Sequence, residues 1–111
     1  MSLPVVKRPR AEADLIGCYA YLSEKASDAT ADRFLAAVEK TLGLLARSPG
    51  IGAPHETNNL RLTGLRSFSV SKFKALILFY QVFDDRIELV RVLHGARDIQ
   101  RVLEAEGEDE E

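Results

Sequence analysis

The amino-acid sequence predicts an α+β domain of two layers, in which a two-helix hairpin packs on an antiparallel three-stranded meander. Three observations lead to this fold class. A short β-branched segment opens the chain, two amphipathic stretches with helical periodicity follow, and three consecutive strand-like stretches precede a short C-terminal helix or tail. A chain of 111 residues is large enough for one such core but not for two. We therefore expect a single domain over residues 1–103 and an acidic tail over residues 104–111.

The segment before the first helix suits a short strand, because Val5 and Val6 are β-branched. We expect this strand, Leu3 to Lys7, to join the same sheet as the meander, and its position in that sheet stays open. Pro9 then suits the first turn of a helix, where its missing N–H costs nothing. Apolar residues recur at intervals of three and four from Pro9 to about Lys25, which predicts an amphipathic helix.

A second amphipathic helix is predicted from about Asp28 to Arg47. Ser27 and Asp28 are suitable N-caps, and the segment Ser48 to Gly52, with its proline and glycines, ends the helix. The two helices are joined by a short turn and form a hairpin with one apolar side. That side needs a surface to cover, and the meander provides it.

Three stretches form the predicted meander: Leu65 to Val70, Ala75 to Phe83, and Arg86 to His94. The first and third alternate between apolar and polar residues, whereas the second is apolar almost throughout and suits a central strand. Ala53 to Gly64 is polar and rich in turn-forming residues, so we expect it to be an exposed connection.

A two-residue turn at Asp84–Asp85 fixes the register that the sequence predicts for the last two strands. On the face that we expect the helices to cover, the facing pairs are Val82–Ile87, Tyr80–Leu89, Leu78–Arg91 and Leu76–Leu93. On the face that we expect to be uncovered, they are Phe83–Arg86, Gln81–Glu88, Phe79–Val90 and Ile77–Val92. Arg91 then points toward the helix layer, and Tyr80 is a core aromatic residue.

The charges divide the chain into a mildly basic body and an acidic end. The net charge is −2, but residues 1–103 carry 15 basic and 11 acidic groups, and residues 104–111 carry six acids. A body of +4 is far less basic than a typical nucleic-acid-binding domain, so we expect no sequence-specific nucleic-acid binding. We interpret the acidic end as a disordered, solubilising tail.

The location predicted from the sequence is the cytoplasm. The longest apolar run, Ala75 to Tyr80, is too short to cross a bilayer, and the first ten residues lack the apolar region of a secretion signal. A single cysteine, Cys18, fits a reducing compartment.

No metal or cofactor site is predicted. His55 and His94 are far apart in the sequence, and no carboxylate stands at a ligand spacing from either of them. Cys18 lies on the apolar stripe of the first helix without a basic neighbour in the sequence, so we interpret it as a small hydrophobic residue and not as a nucleophile.

Three cationic residues, Arg91, His94 and Arg97, stand at the end of the third meander strand. Arginines beside a histidine could grip phosphates and move a proton, which RNA cleavage requires. Alternatively, Arg91 is a buried arginine satisfied by a helix carboxylate such as Asp14, His94 caps the strand end, and Arg97 pairs locally. We favour the second interpretation for Arg91, and both stay open for His94 and Arg97. Arg66 on the neighbouring strand adds positive potential.

The sequence resembles the RelE/ParE toxin superfamily from about Leu3 to Leu103. The resemblance rests on an ordered set of segments: AEADL, ADRFLAAVEKTLGLLARSPGIG, GLRSF, ILFYQV and VRVLHGARD. The ending RVLHGARD is similar to the ParE branch in particular. This resemblance implies the same two-layer fold, a toxin of a bacterial type II toxin–antitoxin system without a cofactor, and a cognate ParD-like antitoxin that binds it in a hetero-oligomer.

The two branches of the superfamily imply two different activities. ParE-like toxins inhibit DNA gyrase by binding, whereas RelE-like toxins cleave mRNA on the ribosome. RelE-type nucleases resemble one another in basic residues on the sheet and a tyrosine or histidine near the C-terminus. Arg66 and Arg91 could match the basic positions, but DIQRVLEAEGEDEE after Arg97 contains neither tyrosine nor histidine.

We therefore expect a gyrase-binding toxin with no catalytic residues. If the chain were an mRNA endoribonuclease instead, its catalytic residues would be Arg66, Arg91, His94 and Arg97. A toxin-like fold that serves only as a binding module is a third alternative. For the partner surface we expect the uncovered sheet face and the cationic strand end to take an amphipathic, acidic-flanked segment; the candidates are Arg66, Ile77, Phe79, Val90, Val92, His94 and Arg97.

Overall fold

A computed structural model describes residues 2–96 and 98–107. Its strands are β1 (Val5–Lys7), β2 (Ala53–Pro54), β3 (Arg66–Val70), β4 (Phe73–Val82) and β5 (Ile87–His94), and its helices are α1 (Pro9–Lys25), α2 (Asp28–Arg47) and α3 (Ile99–Glu104). Short 3-10 turns cover Pro49–Ile51 and Leu60–Leu62. The strands form one mixed sheet in the order β1-β5-β4-β3-β2. The predicted α+β fold, with its helical hairpin on the meander, is confirmed.

The sheet has one strand more than the meander and the N-terminal strand that the sequence predicted. β1 lies parallel to β5 and pairs with Ile87–Leu89 only, which supplies the sheet position that the sequence left open. β2 pairs antiparallel with β3 through two residues. The segment Ala53 to Gly64 was predicted to be an exposed connection, and this was wrong in part, because it contains β2 and the buried Leu62.

The helical hairpin forms where the periodicity placed it. The Ser27 hydroxyl accepts a hydrogen bond from the Thr30 N–H at 3.0 Å and caps α2, as its position before the apolar stripe indicated. The apolar sides of both helices pack on one sheet face and exclude water from it. The buried residues of this first core are Ala11, Leu15, Phe34, Val38, Leu42, Leu45, Val70, Leu78, Tyr80, Ile87, Leu89 and Val92.

A β-bulge changes the predicted register of β4 and β5. Val82–Ile87, Tyr80–Leu89 and Gln81–Glu88 pair as the two-residue turn required, and the Phe83 N–H donates to the Arg86 carbonyl at 2.8 Å. Beyond them four predicted pairs are wrong: Phe79 pairs with Arg91, Leu78 with Val92, Ile77 with Leu93, and Leu76 with His94. The reason is that β5 holds one extra residue, Val90, which has no partner on β4.

The sheet face that was expected to be uncovered holds a second core, and that expectation is wrong. Phe79 is 1% and Val90 0% exposed. Leu62, Leu65 and the apolar side of α3 (Ile99, Val102, Leu103) cover them together with Leu93. Val92 is also buried, but the bulge moves it to the helix-covered face. Ile77 is partly buried at the margin of the second core.

The predicted solvated tail does not begin at Glu104. That residue is the last of α3, and Glu106 is only 2% exposed. The chain therefore uses the start of its acidic run as part of the fold. The remainder of the run, residues 108–111, lies outside the described residues.

Tyr80 holds the end of the helical hairpin against the sheet. Its ring is fully buried, as predicted for a core aromatic, and its hydroxyl donates to the Pro49 carbonyl at 2.7 Å and accepts from the Gly52 N–H at 3.0 Å. A Cβ at Gly52 would stand 2.8 Å from Tyr80 Cε1 and closer still to its hydroxyl. The absence of a side chain at Gly52 therefore permits this contact.

Replacing Gly52 with alanine should lower the free energy of unfolding by about 1–3 kcal/mol, because the new methyl group overlaps the immobile Tyr80 ring. Gly50→Ala is the matched control, since a Cβ at Gly50 has no neighbour within 4 Å. Urea unfolding monitored by circular dichroism measures both. Equal stability of the two variants would contradict the proposed close approach.

Candidate functional site

β5 has an open edge beyond Leu89, because β1 is only three residues long and pairs no further. An open strand edge presents unpaired backbone groups that another chain can bind. Here a side chain of α1 bonds to one of the backbone groups of β5 that β1 is too short to reach. The Asp14 carboxylate accepts a hydrogen bond from the Val92 N–H at 2.9 Å. The edge is therefore partly satisfied by a side chain instead of by backbone.

Arg91 lies between two carboxylates from opposite sides of the sheet. Its Nε and Nη2 donate to Asp14 at 2.7 and 3.0 Å, and its Nη1 donates to Glu106 at 3.1 Å. The hydrogen bonds to Asp14, opposed by partial burial, raise the pKa of the guanidinium further above its usual value. The hypothesis that a helix carboxylate such as Asp14 satisfies Arg91 is confirmed. Glu106 was not foreseen as the second partner.

A groove of about 1360 Å³ runs beside this triad, between α1, the start of β4, the end of β5 and α3. Basic side chains from all four of these elements line it: Arg10, Lys74, His94 and Arg101. The acidic residues along the lining are Asp98 and Asp14, and Asp14 is paired with Arg91. The charge of the lining is therefore predominantly positive, which favours an acidic occupant.

On its α1 side the groove is lined in part by residues with small side chains or none. Ala13 and Gly17 line it four residues apart, and a Cβ built on Gly17 would have no neighbour within 4 Å. Cys18 lies beside them, half-buried. Burial, assisted by the Asp14 charge, raises the pKa of its thiol. That direction disfavours the reactive thiolate, in agreement with the structural interpretation of Cys18.

Of the described members of the predicted cationic set, Arg91 and His94 line the same groove, whereas Arg66 lies elsewhere. Arg91 is paired as described, and Arg66 donates to the Gly50 and Gly52 carbonyls at 3.2 and 2.6 Å, on the other side of β4. His94 is exposed at the groove, and its Nδ1 accepts from the Ala96 N–H at 3.0 Å. Arg97 lies outside the described residues.

Of the candidates for partner binding, the exposed His94 and the almost fully buried Val92 line the groove, whereas Phe79 and Val90 are buried away from it by the chain itself.

Two residues of the site left no usable signal in the sequence. Glu106 is one acid in a run of acids, and nothing in that run distinguishes the buried one. Asn59 lies in a polar connection, yet its side-chain amide donates to the Leu103, Glu104 and Glu106 carbonyls at 2.9, 3.4 and 2.8 Å. These bonds satisfy carbonyls at and just beyond the end of α3, where, as in any α-helix, the last carbonyls have no partner within the helix.

Within residues 2–96 and 98–107, no three or more histidine, cysteine, aspartate or glutamate side chains form a group that could hold a metal ion. In the same part of the chain, no helix is long and apolar enough to cross a membrane.

Comparison with known proteins gives matches in sequence and in structure. The family model described as "ParE toxin of type II toxin-antitoxin system, parDE" matches residues 5–99. Toxin ParE1 of Caulobacter vibrioides is 34% identical over 94 residues, which is 85% of this chain and 91% of that protein. A chain of the solved structure titled "Chromosomal ParDE TA system from P. aeruginosa" matches with a TM-score of 0.68 at 15% identity, over 84% of this chain and 96% of that one.

Replacing Arg91 with methionine should lower the free energy of unfolding by about 3–5 kcal/mol, because two largely buried carboxylates lose their counter-charge. Arg86→Met is the control and should cost much less, since Arg86 is more exposed and its partner Glu88 keeps Arg8. Adding Glu106→Gln to Arg91→Met should restore part of the loss. Thermal and urea unfolding measure all three; a neutral Arg91→Met would contradict the bridging role.

Proposed function

This chain belongs to the ParE toxin family of type II toxin–antitoxin systems, and from that premise we propose that it inhibits DNA gyrase by binding and is neutralised by a ParD-like antitoxin. The match of the family model over residues 5–99 and the curated relative at 34% identity support membership. The target and the antitoxin are our proposal. It follows the likeness to the ParE branch that the ending RVLHGARD carries.

One observation carries the choice of binding over RNA cleavage. The Arg91 guanidinium, the best-placed candidate for gripping a phosphate, donates instead to Asp14 and Glu106 at 2.7 to 3.1 Å. A phosphate would have to displace two carboxylates that hold Arg91 from both sides, and those carboxylates would repel it. Arg66 is occupied by loop carbonyls on the far side of β4. The alternative, a ribosome-dependent mRNA endoribonuclease, therefore has less support.

The antitoxin is best accommodated in the groove and not on the sheet face that the sequence indicated. Phe79 and Val90 are covered by α3, so they cannot form a first contact surface. The groove offers an open strand edge, apolar lining such as Leu76 and Leu93, and a predominantly positive rim. An amphipathic segment with acidic flanks fits these features. His94 is the sequence-predicted candidate that keeps its place in this proposal.

The proposal about the target is tested with purified proteins. The toxin should abolish supercoiling by gyrase or make gyrase accumulate cleaved DNA, and translating ribosomes given the same toxin should leave their mRNA intact. An Arg91→Met variant adds a further comparison. If the toxin acts by binding, the fraction of this variant that folds should still inhibit gyrase in part. Ribosome-dependent mRNA cutting with gyrase unaffected would refute the proposal and support the RelE-type alternative.

The variant Gly17→Leu tests the proposal that the antitoxin binds in the groove. Removing a mid-helix glycine should leave the fold intact or stabilise it slightly, and the space above Gly17 is empty. The leucine should nevertheless occupy the groove and weaken antitoxin binding by about tenfold or more.

Gly43→Leu on α2 is the matched control, because a Cβ there meets only the flexible end of Arg47 at 3.7 Å. Calorimetric titration with the antitoxin encoded beside the toxin measures both variants. Equal affinities of Gly17→Leu and Gly43→Leu would place the antitoxin elsewhere on the toxin.

A further inference from the structure

The C-terminal cover, defined as residues 98–107, forms one wall of the groove and also the lid of the second core. We propose that this cover is a movable element, held shut by the Arg91–Glu106 ion pair, and that its opening reshapes the groove and uncovers the apolar surface beneath it. The inference concerns regulation of the proposed antitoxin site, so its biological meaning rests on the proposed function. The proposed movement of the cover does not depend on that function.

The cover is too short to hold itself in place. α3 has six residues, and an isolated helix of that length is unstable in water. Its order therefore comes from what it touches. Ile99, Val102 and Leu103 pack on the second core over Phe79 and Val90. Apart from these apolar contacts, the cover depends on a few polar attachments.

Besides an exposed hydrogen bond from the Asn58 amide to the Glu104 carboxylate at 3.3 Å, two attachments from different elements hold the end of the cover. Asn59 donates to three of its backbone carbonyls at 2.8 to 3.4 Å. Arg91, on β5, donates to the Glu106 carboxylate at 3.1 Å. Because the segment has no strand pairing of its own, loss of either attachment should free its end while the sheet and the hairpin stay folded.

The cost of burying the Glu106 carboxylate in the closed cover is only partly compensated by its interactions. The residue is 2% exposed, and its Oε2 has no hydrogen-bond partner within the described residues. Burying a carboxylate with an unpaired oxygen is unfavourable, and the opposing attraction comes from an arginine that Asp14 already shares. Closure is therefore favourable only while Arg91 remains in position, which makes the cover sensitive to that residue.

Arg91 also connects the cover to the groove. It lines the groove together with Arg101, Val102 and Ala105 of the cover. An occupant of the groove contacts Arg101, Val102 and Ala105 of the cover directly, so an open cover changes the wall that the occupant contacts. Binding in the groove and opening of the cover are coupled for this reason.

The test compares two charge reversals in the full chain, Glu106→Lys and Glu104→Lys. Both change the net charge equally, but Glu106 is buried against Arg91 whereas Glu104 is exposed. Hydrogen exchange is followed at the amides of Val102 and Glu106, which bond within the cover. Glu106→Lys should speed their exchange at least tenfold and leave α1 and α2 unchanged. Glu104→Lys removes only exposed hydrogen bonds from Asn58 and Gln100 and should change the exchange much less.

Asn59→Ala supplies a second variant that leaves Arg91 untouched. It should open the cover in the same local way and increase binding of a dye specific for exposed apolar surface. Unchanged exchange in Glu106→Lys and Asn59→Ala overturns the proposal, and so does faster exchange spread evenly through the chain. Since no partner is added, either result is independent of the gyrase and antitoxin experiments.

Discussion

The bridging of Asp14 and Glu106 by Arg91 is the interaction on which the rest of the structure depends. β1 ends after three residues, and the strand beside it continues without a backbone partner. The Asp14 carboxylate satisfies this edge only because a guanidinium neutralises it. The same guanidinium fixes the C-terminal segment on the opposite face. Helix layer, sheet edge and C-terminal segment thus share one cation.

The arrangement explains why a positively charged, partly open groove can persist in a stable fold. Hydrophobic burial on both faces of β4 and β5 provides the driving force, through one core under the hairpin and another under α3. The groove lies along the edge of β5 at the margins of the two cores, where Val92 of the first core and Leu93 of the second form part of its lining. Polar and charged side chains are tolerated there because the two carboxylates that face Arg91 are paired with it, and Lys74, His94 and Arg101 are exposed to solvent.

The sequence predicted those parts of the fold that depend on local pattern. The helical periodicities, the Asp84–Asp85 turn and the core position of Tyr80 follow from neighbouring residues alone. The pairing of Arg91 with a helix carboxylate was predicted on a different ground, because a buried charge needs a partner. The bulge follows from neither ground, because Val90 is as apolar as the residues around it and no glycine marks the extra residue. One unmarked residue reversed the faces assigned to the end of β5. Glu106 was equally hidden, since burial of one acid in a run depends on where α3 returns.

The parallel pairing of β1 with β5 has a consequence for synthesis on the ribosome. Arg91 and Asp14 are separated by 77 residues, and β1 joins the same strand shortly before that point. Contacts between such distant parts of a chain form late and slowly. The edge of β5 and the groove beside it therefore cannot be assembled until all the elements that precede them in the chain have been translated. The nascent chain lacks this groove until β5 and α3 have both been synthesised.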